Sequence, residues 1–479
     1  MHNPRILTED PSLQPVADVV TELLHPHPPL SADLRLTLGQ VTLQPDALGV
    51  AVSGADECYR ITSTPGAITC QARTPQGVFR AALQAALYGT PGHPGVIESG
   101  PRYAWRGLSL DTARTFWSVP EVKRIIDLAA LHRLNVLHLH LTDNEGWRIE
   151  IPGLPHLTAG HAHYKIEEYA DLQRHAAARH VVIVPEIDLP GHAAAALAAD
   201  PALPNACDPH GWDGLPFAAL DPRDEATRAF ITRVLTEVCH LTDGPYVHFG
   251  GDEAFGMDEE LFRQAVRLAR EVIRAAGKKP LGWQESARAG LEPGDVAQWW
   301  VDPSMMDLPA STEGNPALAA AGLTDELLGK IREHFAPSAG DLDRIIQAGG
   351  RVLLSPQSHL YLDRPYERQI IPAEQEHAGR LGHIYRPRTV RHAADWSPSA
   401  YGLPQENVAG VEAAVWSESL RSFDDLTVML LPRLAAIAEI AWYGRPPAWP
   451  QARAQLAASG RLWEQRGLTF LRSTEVAWI

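Results

Sequence analysis

The stretch Tyr246-Val-His-Phe-Gly-Gly-Asp-Glu-Ala254 sets two adjacent carboxylates, Asp252 and Glu253, directly after a short apolar strand and a Gly-Gly bend. Glycine at 250 and 251 lets the backbone turn closely, or lets a ligand approach it, so both acids are placed to face a cleft at the carboxyl end of the strand. Carboxylates held in a cleft can give and take protons. Taken alone, an Asp-Glu pair suits the first turn of a helix at least as well, because acids favour the positive end of the helix dipole. The other segments of the chain decide between these readings.

Those segments alternate strand and helix from Pro101 onward, the pattern of parallel α/β architecture. Candidate strands begin near Gly107, Asn135, Val181, Tyr246, Pro280, Val296, Arg351 and Val408. Eight parallel strands of this spacing most simply close into a (β/α)8 TIM barrel, which gathers the residues at the strand ends on one face. The first helix is marked by a Ser118 to Glu121 capping box and an apolar stripe of Val122, Ile125, Ile126, Ala129 and Ala130. Down the strand ends one polar set collects: Arg106, Asp111 and Arg114; His138, His140 and Asp143; Glu186, Asp188 and His192; Gln284 and Glu285; Trp299 and Trp300; Tyr361 and Asp363; Trp416 and Glu418. A histidine on an apolar strand is more often a hydrogen-bonded core residue than a ligand, and a tryptophan at a barrel mouth often only packs. Buried carboxylates are costly without partners, however, and so many near one face are hard to explain as structure alone.

Before the barrel, residues 1–100 read as a small α+β domain. Strands are expected near Leu34–Leu38, Val50–Val52, Tyr59–Ser63 and Ala67–Ala72, a helix over Pro75–Tyr88, and a linker over Gly89–Gly100. The barrel should occupy 101–445, with a long loop over 200–222 and an insertion near 301–350 that contains helical pieces at Thr324–Phe335 and Leu342–Gln347. Prolines 446, 447 and 450 end the last barrel helix, leaving 446–479 as a C-terminal helical segment.

Composition narrows the partners. A formal charge of -16 opposes nucleic acid and anionic membranes, since the phosphate-neutralising contribution has the wrong sign. Thirteen Trp beside ten Phe is a skewed aromatic set, and indole faces suit the apolar faces of sugars as well as they suit cores. Cys58, Cys70, Cys207 and Cys239 show no C-x-x-C spacing, so no zinc knuckle or redox motif is indicated. With no apolar run of about eighteen residues and no apolar stretch in Met1–Val20, the sequence predicts neither a membrane span nor a secretory signal, and a cytoplasmic location is the default.

An ordered set of motifs then carries a resemblance. Arg106-Gly107 with Leu110-Asp111, His140-Leu-Thr-Asp143 with Gly146-Trp147-Arg148, Pro185-Glu-Ile-Asp188 with Pro190-Gly-His192, and His248-Phe-Gly-Gly-Asp-Glu253 come first. Gly282-Trp283, Gln298-Trp-Trp300, Tyr361-Leu-Asp363 and Gly410-Val-Glu-Ala413 with Trp416-Ser-Glu418 follow in the same order. Across roughly residues 30–445 the chain resembles the β-N-acetylhexosaminidases of glycoside hydrolase family 20. The resemblance implies an exo-acting, retaining glycosidase that removes terminal β-linked GlcNAc or GalNAc by substrate-assisted catalysis, acting on a small carbohydrate and needing no metal or cofactor. It implies Glu253 as general acid/base, Asp252 as the carboxylate that orients the 2-acetamido group, and Tyr361 as donor to the acetamido carbonyl. It implies Arg106 and Glu418, with Asp363, as the grip on the terminal sugar's hydroxyls. Trp283, Trp300 and Trp416 would be the pocket walls, with Asp143 and His192 in supporting hydrogen bonds. Where the family usually has Asp-Asp-Gln-Gly-Trp, this chain has Asp143-Asn144-Glu145-Gly146-Trp147, which alters the hydrogen bonding beside the pocket.

Two rival readings stand beside it. His138-x-His140, with His192 and His248, resembles the ligand set of a metal-dependent amidohydrolase, although no lysine ligand is available on the strands near 181–253. A catalytically inactive sugar-binding protein would keep the pocket but has no reason to retain Glu253, Asp252 and Tyr361 together.

Overall fold

The computed structural model describes residues 5–25, 32–43, 49–52, 56–87, 95–207, 218–303, 311–313 and 323–478. Parts of the loop 200–222 and of the insertion 301–350 fall outside these residues.

The N-terminal unit is a five-stranded mixed sheet in the order β1-β2-β4-β3-β5. Its strands are β1 (Ile6–Thr8), β2 (Asp33–Leu38), β3 (Tyr59–Thr64), β4 (Ala67–Ala72) and β5 (Gly95–Ser99). The hairpin between β3 and β4 turns at Gly66, whose φ of +83° fits a glycine. The helix Pro75–Leu87 lays Val78, Phe79, Ala82 and Leu83, all fully buried, on this sheet, as the apolar spacing predicts. Two expectations need correction. The stretch predicted as a linker contains β5, whose residues alternate half-buried and exposed beside β3 at the sheet edge. Val50 and Val52 form no strand; they plug the bottom of the barrel, where the Val50 N–H donates to the Ala409 carbonyl at 2.8 Å.

The barrel is closed by eight parallel strands: β6 (Trp105–Asp111), β7 (Val136–His140), β10 (Val182–Glu186), β11 (Tyr246–His248), β12 (Lys279–Trp283), β13 (Val296–Trp299), β14 (Arg351–Leu354) and β15 (Val408–Val415). All eight lie where the rhythm places them, each starting within two residues of its expected position. A two-residue pair, β8 (Thr142–Asp143) with β9 (Gly146–Trp147), rises from the end of β7. The helix Val119–Leu131 starts with the expected box, the Ser118 N–H donating to Glu121 Oε2 at 2.7 Å. The insertion contributes the helices Asp325–Phe335 and Asp341–Gln347, and the C-terminal helix runs Trp449–Gln465. Among the described residues no single helix is long and apolar enough to cross a membrane.

Inside the barrel the side chains form layers. At the bottom Trp105, Val136, Val184, Tyr246, Leu281, Val296 and Leu353 meet Val50 and Val52 in an apolar plug. Above it lies a wholly buried polar layer of His138, Glu186, His248, Gln298 and Glu412. Gly107 makes room for this layer, since a Cβ there would collide with the Glu412 carboxylate. The cavity at the carboxyl ends of the strands sits on top.

Candidate active site

β11 ends at His248, and the bend that follows passes through Gly250 (φ +73°) and Gly251 (φ +88°) to Glu253, itself at φ +41°. At Gly250 the glycine is required, because a Cβ would overlap the Asp188 carboxylate arriving from the end of β10. The next helix begins only at Glu259 with Asp258 as its N-cap. Asp252 and Glu253 are therefore not helix-start acids. They line a cleft of about 470 Å³, partly open to solvent, at the mouth of the barrel.

Asp252 is 8% exposed, and its Oδ1 has no hydrogen-bond partner among the described residues. Burial, and then the neighbouring Asp188, hold its pKa well above the ordinary carboxylate range. Asp188 is itself pushed up to about 7 by burial, with Glu186 adding to the effect. His192 Nε2 stands 3.5 Å from Glu253 Oε2 and 3.8 Å from Asp252 Oδ2. Its Nδ1 donates to Asp143 Oδ1 at 2.9 Å. Burial opposes a charge on this ring, but Asp143 and Asp188 outweigh it and keep the pKa well above that of a free histidine. The ring thus carries a proton on each nitrogen and presents one of them to the two carboxylates.

Tyr361 follows the short helix Gln357–Leu360 after β14 and is held beside β15 by a bridge to Ala414. Its ring lies parallel to Trp300, with centroids 6.1 Å apart and 5° between planes, and meets Trp416 at 65°. Burial raises the phenol pKa, so the hydroxyl remains a donor. Trp300, Tyr361 and Trp416 line the cleft. Trp283 does not. Its indole N–H donates to Glu186 Oε1 at 2.8 Å, which draws the fully buried ring to the barrel axis, behind Trp300 and Trp416. It supports the wall instead of forming it.

Arg106 is also misplaced by the sequence reading. Second residue of β6, it lies at the bottom of the barrel, fully buried, with Nη2 donating to both oxygens of Glu57, Nη1 to the Tyr103 carbonyl and Nε to the Arg133 carbonyl. About 17 Å of strand separates it from the upper end of β6. The arginine at the cleft is Arg114, three residues past the upper end of the same strand. Its Nη2 is 2.8 Å from Asp143 Oδ2, its Nε donates to Glu145 Oε2 at 3.0 Å, and its guanidinium lies 5.5 Å over the Trp416 ring. Glu418 faces it across the cleft surface. Asp363 lies beneath that surface, 1% exposed, with Oδ1 accepting from the Trp416 N–H at 3.4 Å and Oδ2 without a hydrogen-bond partner among the described residues. Burial, and then Glu418, push its pKa up to about 8.

The altered pair beside Asp143 has its own bonds. Asn144 Oδ1 accepts from the Ala194 N–H at 3.1 Å, and Glu145 takes the Arg114 Nε. His138 and His140, the core of the metal-ligand reading, are occupied by carboxylates: His138 Nδ1 meets Glu412 Oε1 at 2.9 Å, and His140 lies between Glu186 and Asp143.

Besides Arg114 and His140, three residues on the cleft had no role assigned from the sequence, namely Asp188, His383 and Tyr385. Asp188 stood in a quoted motif and at a strand end, so its position was a usable signal. His383 and Tyr385 come from the segment after β14, which the His383 N–H (to Asp363 O, 2.9 Å) and the Gly382 N–H (to Ser419 Oγ, 2.7 Å) tie to the barrel mouth. No local spacing marks that segment.

The description "Glycosyl hydrolase family 20, catalytic domain" matches residues 103–321 and 335–445, the gap falling on the helix Asp325–Phe335 of the insertion. A β-N-acetylhexosaminidase of Cellulomonas fimi is 38% identical over 446 residues, 88% of this chain and 82% of its own. The family 20 β-N-acetylhexosaminidase of Streptomyces coelicolor A3(2) superposes with a TM-score of 0.79 at 30% identity, covering 99% of this chain and 94% of that one. A mutant β-hexosaminidase of Streptomyces plicatus, solved with its product GlcNAc, gives 0.78 at 29% identity, covering 100% and 94%. A closed eight-stranded barrel carrying this carboxylate pair, together with the match over most of the chain, places the protein in glycosyl hydrolase family 20.

Proposed function

We infer that this protein is an exo-acting β-N-acetylhexosaminidase that hydrolyses the terminal sugar with retention, using the substrate's own 2-acetamido group as nucleophile. The observation that carries this reading is the consecutive placement of Asp252 and Glu253 on one bend, both facing His192 Nε2, with Tyr361 on the same cleft. Two-carboxylate retaining glycosidases hold their acid and nucleophile about 5 Å apart across the sugar, whereas a neighbouring acid suits an amide nucleophile that must be oriented.

In the first step Glu253 gives its proton to the glycosidic oxygen as the C1–O bond breaks. The acetamido carbonyl oxygen closes on C1, making a cyclic oxazolinium ion. Asp252, as carboxylate, accepts the amide N–H and meets the developing positive charge, while the Tyr361 hydroxyl donates to the carbonyl oxygen. In the second step Glu253, now a carboxylate, takes a proton from water as its oxygen attacks C1 and reopens the ring. Arg114 and Glu418 are the groups on the cleft suited to the hydroxyls of a chain end.

The test compares nitrophenyl β-N-acetylglucosaminide with nitrophenyl β-glucoside and follows the first-formed anomer by NMR. Hydrolysis of the acetamido substrate alone, with β product, is expected. Comparable glucoside turnover, inversion, or a glycosyl-enzyme trapped on a carboxylate would refute the mechanism.

A further inference from the structure

The barrel axis carries a buried chain of acids and imidazoles that ends at the catalytic acid. Glu412 Oε1 meets His138 Nδ1 at 2.9 Å, and His138 Nε2 lies 3.1 Å from Glu186 Oε2. Glu186 Oε2 meets His140 Nδ1 at 2.6 Å, and His140 Nε2 meets Asp143 Oδ2 at 2.8 Å. Asp143 Oδ1 then accepts from His192, whose far nitrogen faces Glu253.

His140 holds the informative position. Both its ring nitrogens lie at hydrogen-bonding distance from carboxylates. An ionised carboxylate only accepts, and a neutral imidazole has one N–H to give. Two short contacts to two ionised carboxylates therefore require an imidazolium. The surroundings agree: burial disfavours the charge, but Glu186 and Asp143 outweigh it and hold the pKa well above that of a free histidine. Glu186 has a further donor, its Oε1 accepting from Trp283 Nε1 at 2.8 Å.

We propose that Glu186 and His140 form a buried ion pair that positions Asp143, and through it His192, against Glu253, so that an acid in the barrel core governs proton delivery at the cleft. Glu186 fixes the proton on Nδ1, which leaves Nε2–H aimed at Asp143. Asp143 Oδ2 is then shared by His140 and Arg114, and Oδ1 is left for His192. His140 also meets Trp416 edge-on, with centroids 5.1 Å apart at 88°, which couples the pair to the sugar wall. Charged and titratable groups face the pair from every side: His138 on its own strand, Asp111 paired with it on β6, His248 on β11, Glu412 on β15, and Asp143, Asp188, His192 and Arg114 at the mouth. Glu186 and His140 are positioning residues in a reaction that rests on the function inferred above.

The experiment compares wild type with Glu186→Gln, Glu186→Asp and His140→Gln on chitobiose and on a nitrophenyl β-N-acetylglucosaminide. Wild-type hydrolysis of the nitrophenyl substrate tests the inferred activity by itself, so its failure is distinct from failure of the positioning role. In Glu186→Gln, chitobiose kcat should fall about 10- to 100-fold, a part of what a positioned acid contributes, with KM changed less than about twofold. Nitrophenol release should fall much less, since an acidic leaving group needs little protonation. Without its anion His140 loses its extra proton as pH rises, so the basic limb of the kcat profile should move to lower pH. Glu186→Asp should restore part of the rate, and His140→Gln should reproduce the loss on chitobiose. Equal losses on both substrates with an unmoved basic limb would mean a merely structural role. Should a variant fail to fold, histidine-labelled wild type decides: an imidazolium with both N–H protons shielded from exchange across the working pH range is expected, and finding only singly protonated core histidines would overturn the proposal.

Discussion

Arg106 Nη2 donates to both carboxylate oxygens of Glu57 at 2.8 Å, joining the first barrel strand to the N-terminal sheet domain where both side chains are buried. Glu57 is shared with Arg80, whose Nε donates to Oε1 at 2.7 Å. Burial alone would raise the Glu57 pKa, but Arg106 and Arg80 outweigh it and lower it. Arg106 is lowered to about 10 by burial, offset in part by Glu57, and remains charged at neutral pH.

Removing one partner strands buried charge, so Glu57→Ala should destabilise the fold by about 3–5 kcal/mol in urea unfolding. The folded pKa lies below the unfolded one, so this stabilisation is complete above the unfolded pKa and is lost as pH falls through the folded pKa. The stability gap between wild type and Glu57→Ala should therefore narrow in acid. A gap independent of pH would contradict the pairing.

Arg114 and Arg106 should separate cleanly in kinetics. Arg114→Ala should cost about 10- to 100-fold in kcat/KM on a nitrophenyl β-N-acetylglucosaminide, the worth of a charge-assisted hydrogen bond. Arg114→Lys should recover little, because an ammonium cannot reproduce contacts to Asp143 and Glu145 from one planar group while lying over Trp416. Arg106→Lys should lower Tm and leave KM nearly unchanged.

Glu253→Gln should abolish cleavage of natural disaccharides while partly sparing substrates with very acidic leaving groups. Steady-state rates across a series of aryl leaving groups check this: a steep dependence on leaving-group pKa is expected in the variant. A slope equal to wild type would remove Glu253 from the acid role.

Asp252 must be ionised to accept the amide N–H, and its pKa is raised by burial and Asp188. Activity should therefore fall as pH drops through that raised pKa, and Asp252→Asn should lose most of the rate together with that limb. A raised folded pKa means that ionisation costs stability above the unfolded pKa, so Asp252→Asn should also raise Tm at neutral pH. A lowered Tm would show that the carboxylate is better solvated than its burial implies.

The sequence by itself determined the barrel and many of the side chains that line its mouth. Strand-helix alternation depends on local apolar periodicity, which is why all eight strands and the Ser118 capping box were legible. Asp252, Glu253, Tyr361, Trp300, Trp416 and Glu418 were legible because strand ends in a closed parallel barrel converge on one face. Only the tertiary structure decided which polar side chains reach that face. Arg106 and Arg114 flank one strand, and sequence spacing does not reveal that the lower arginine is claimed by Glu57, 49 residues earlier. Trp283 ends a strand yet turns inward, because its N–H meets an acid on β10, 97 residues away. His383 and Tyr385 reach the cleft through hydrogen bonds to Asp363 and Ser419, with no periodicity to announce them. Val50 and Val52 alternate like a strand, but their apolar faces fill the barrel base. In each case the deciding partner lies far along the chain, and buried polar or apolar groups go to the partner that satisfies them, which is fixed only when the barrel closes.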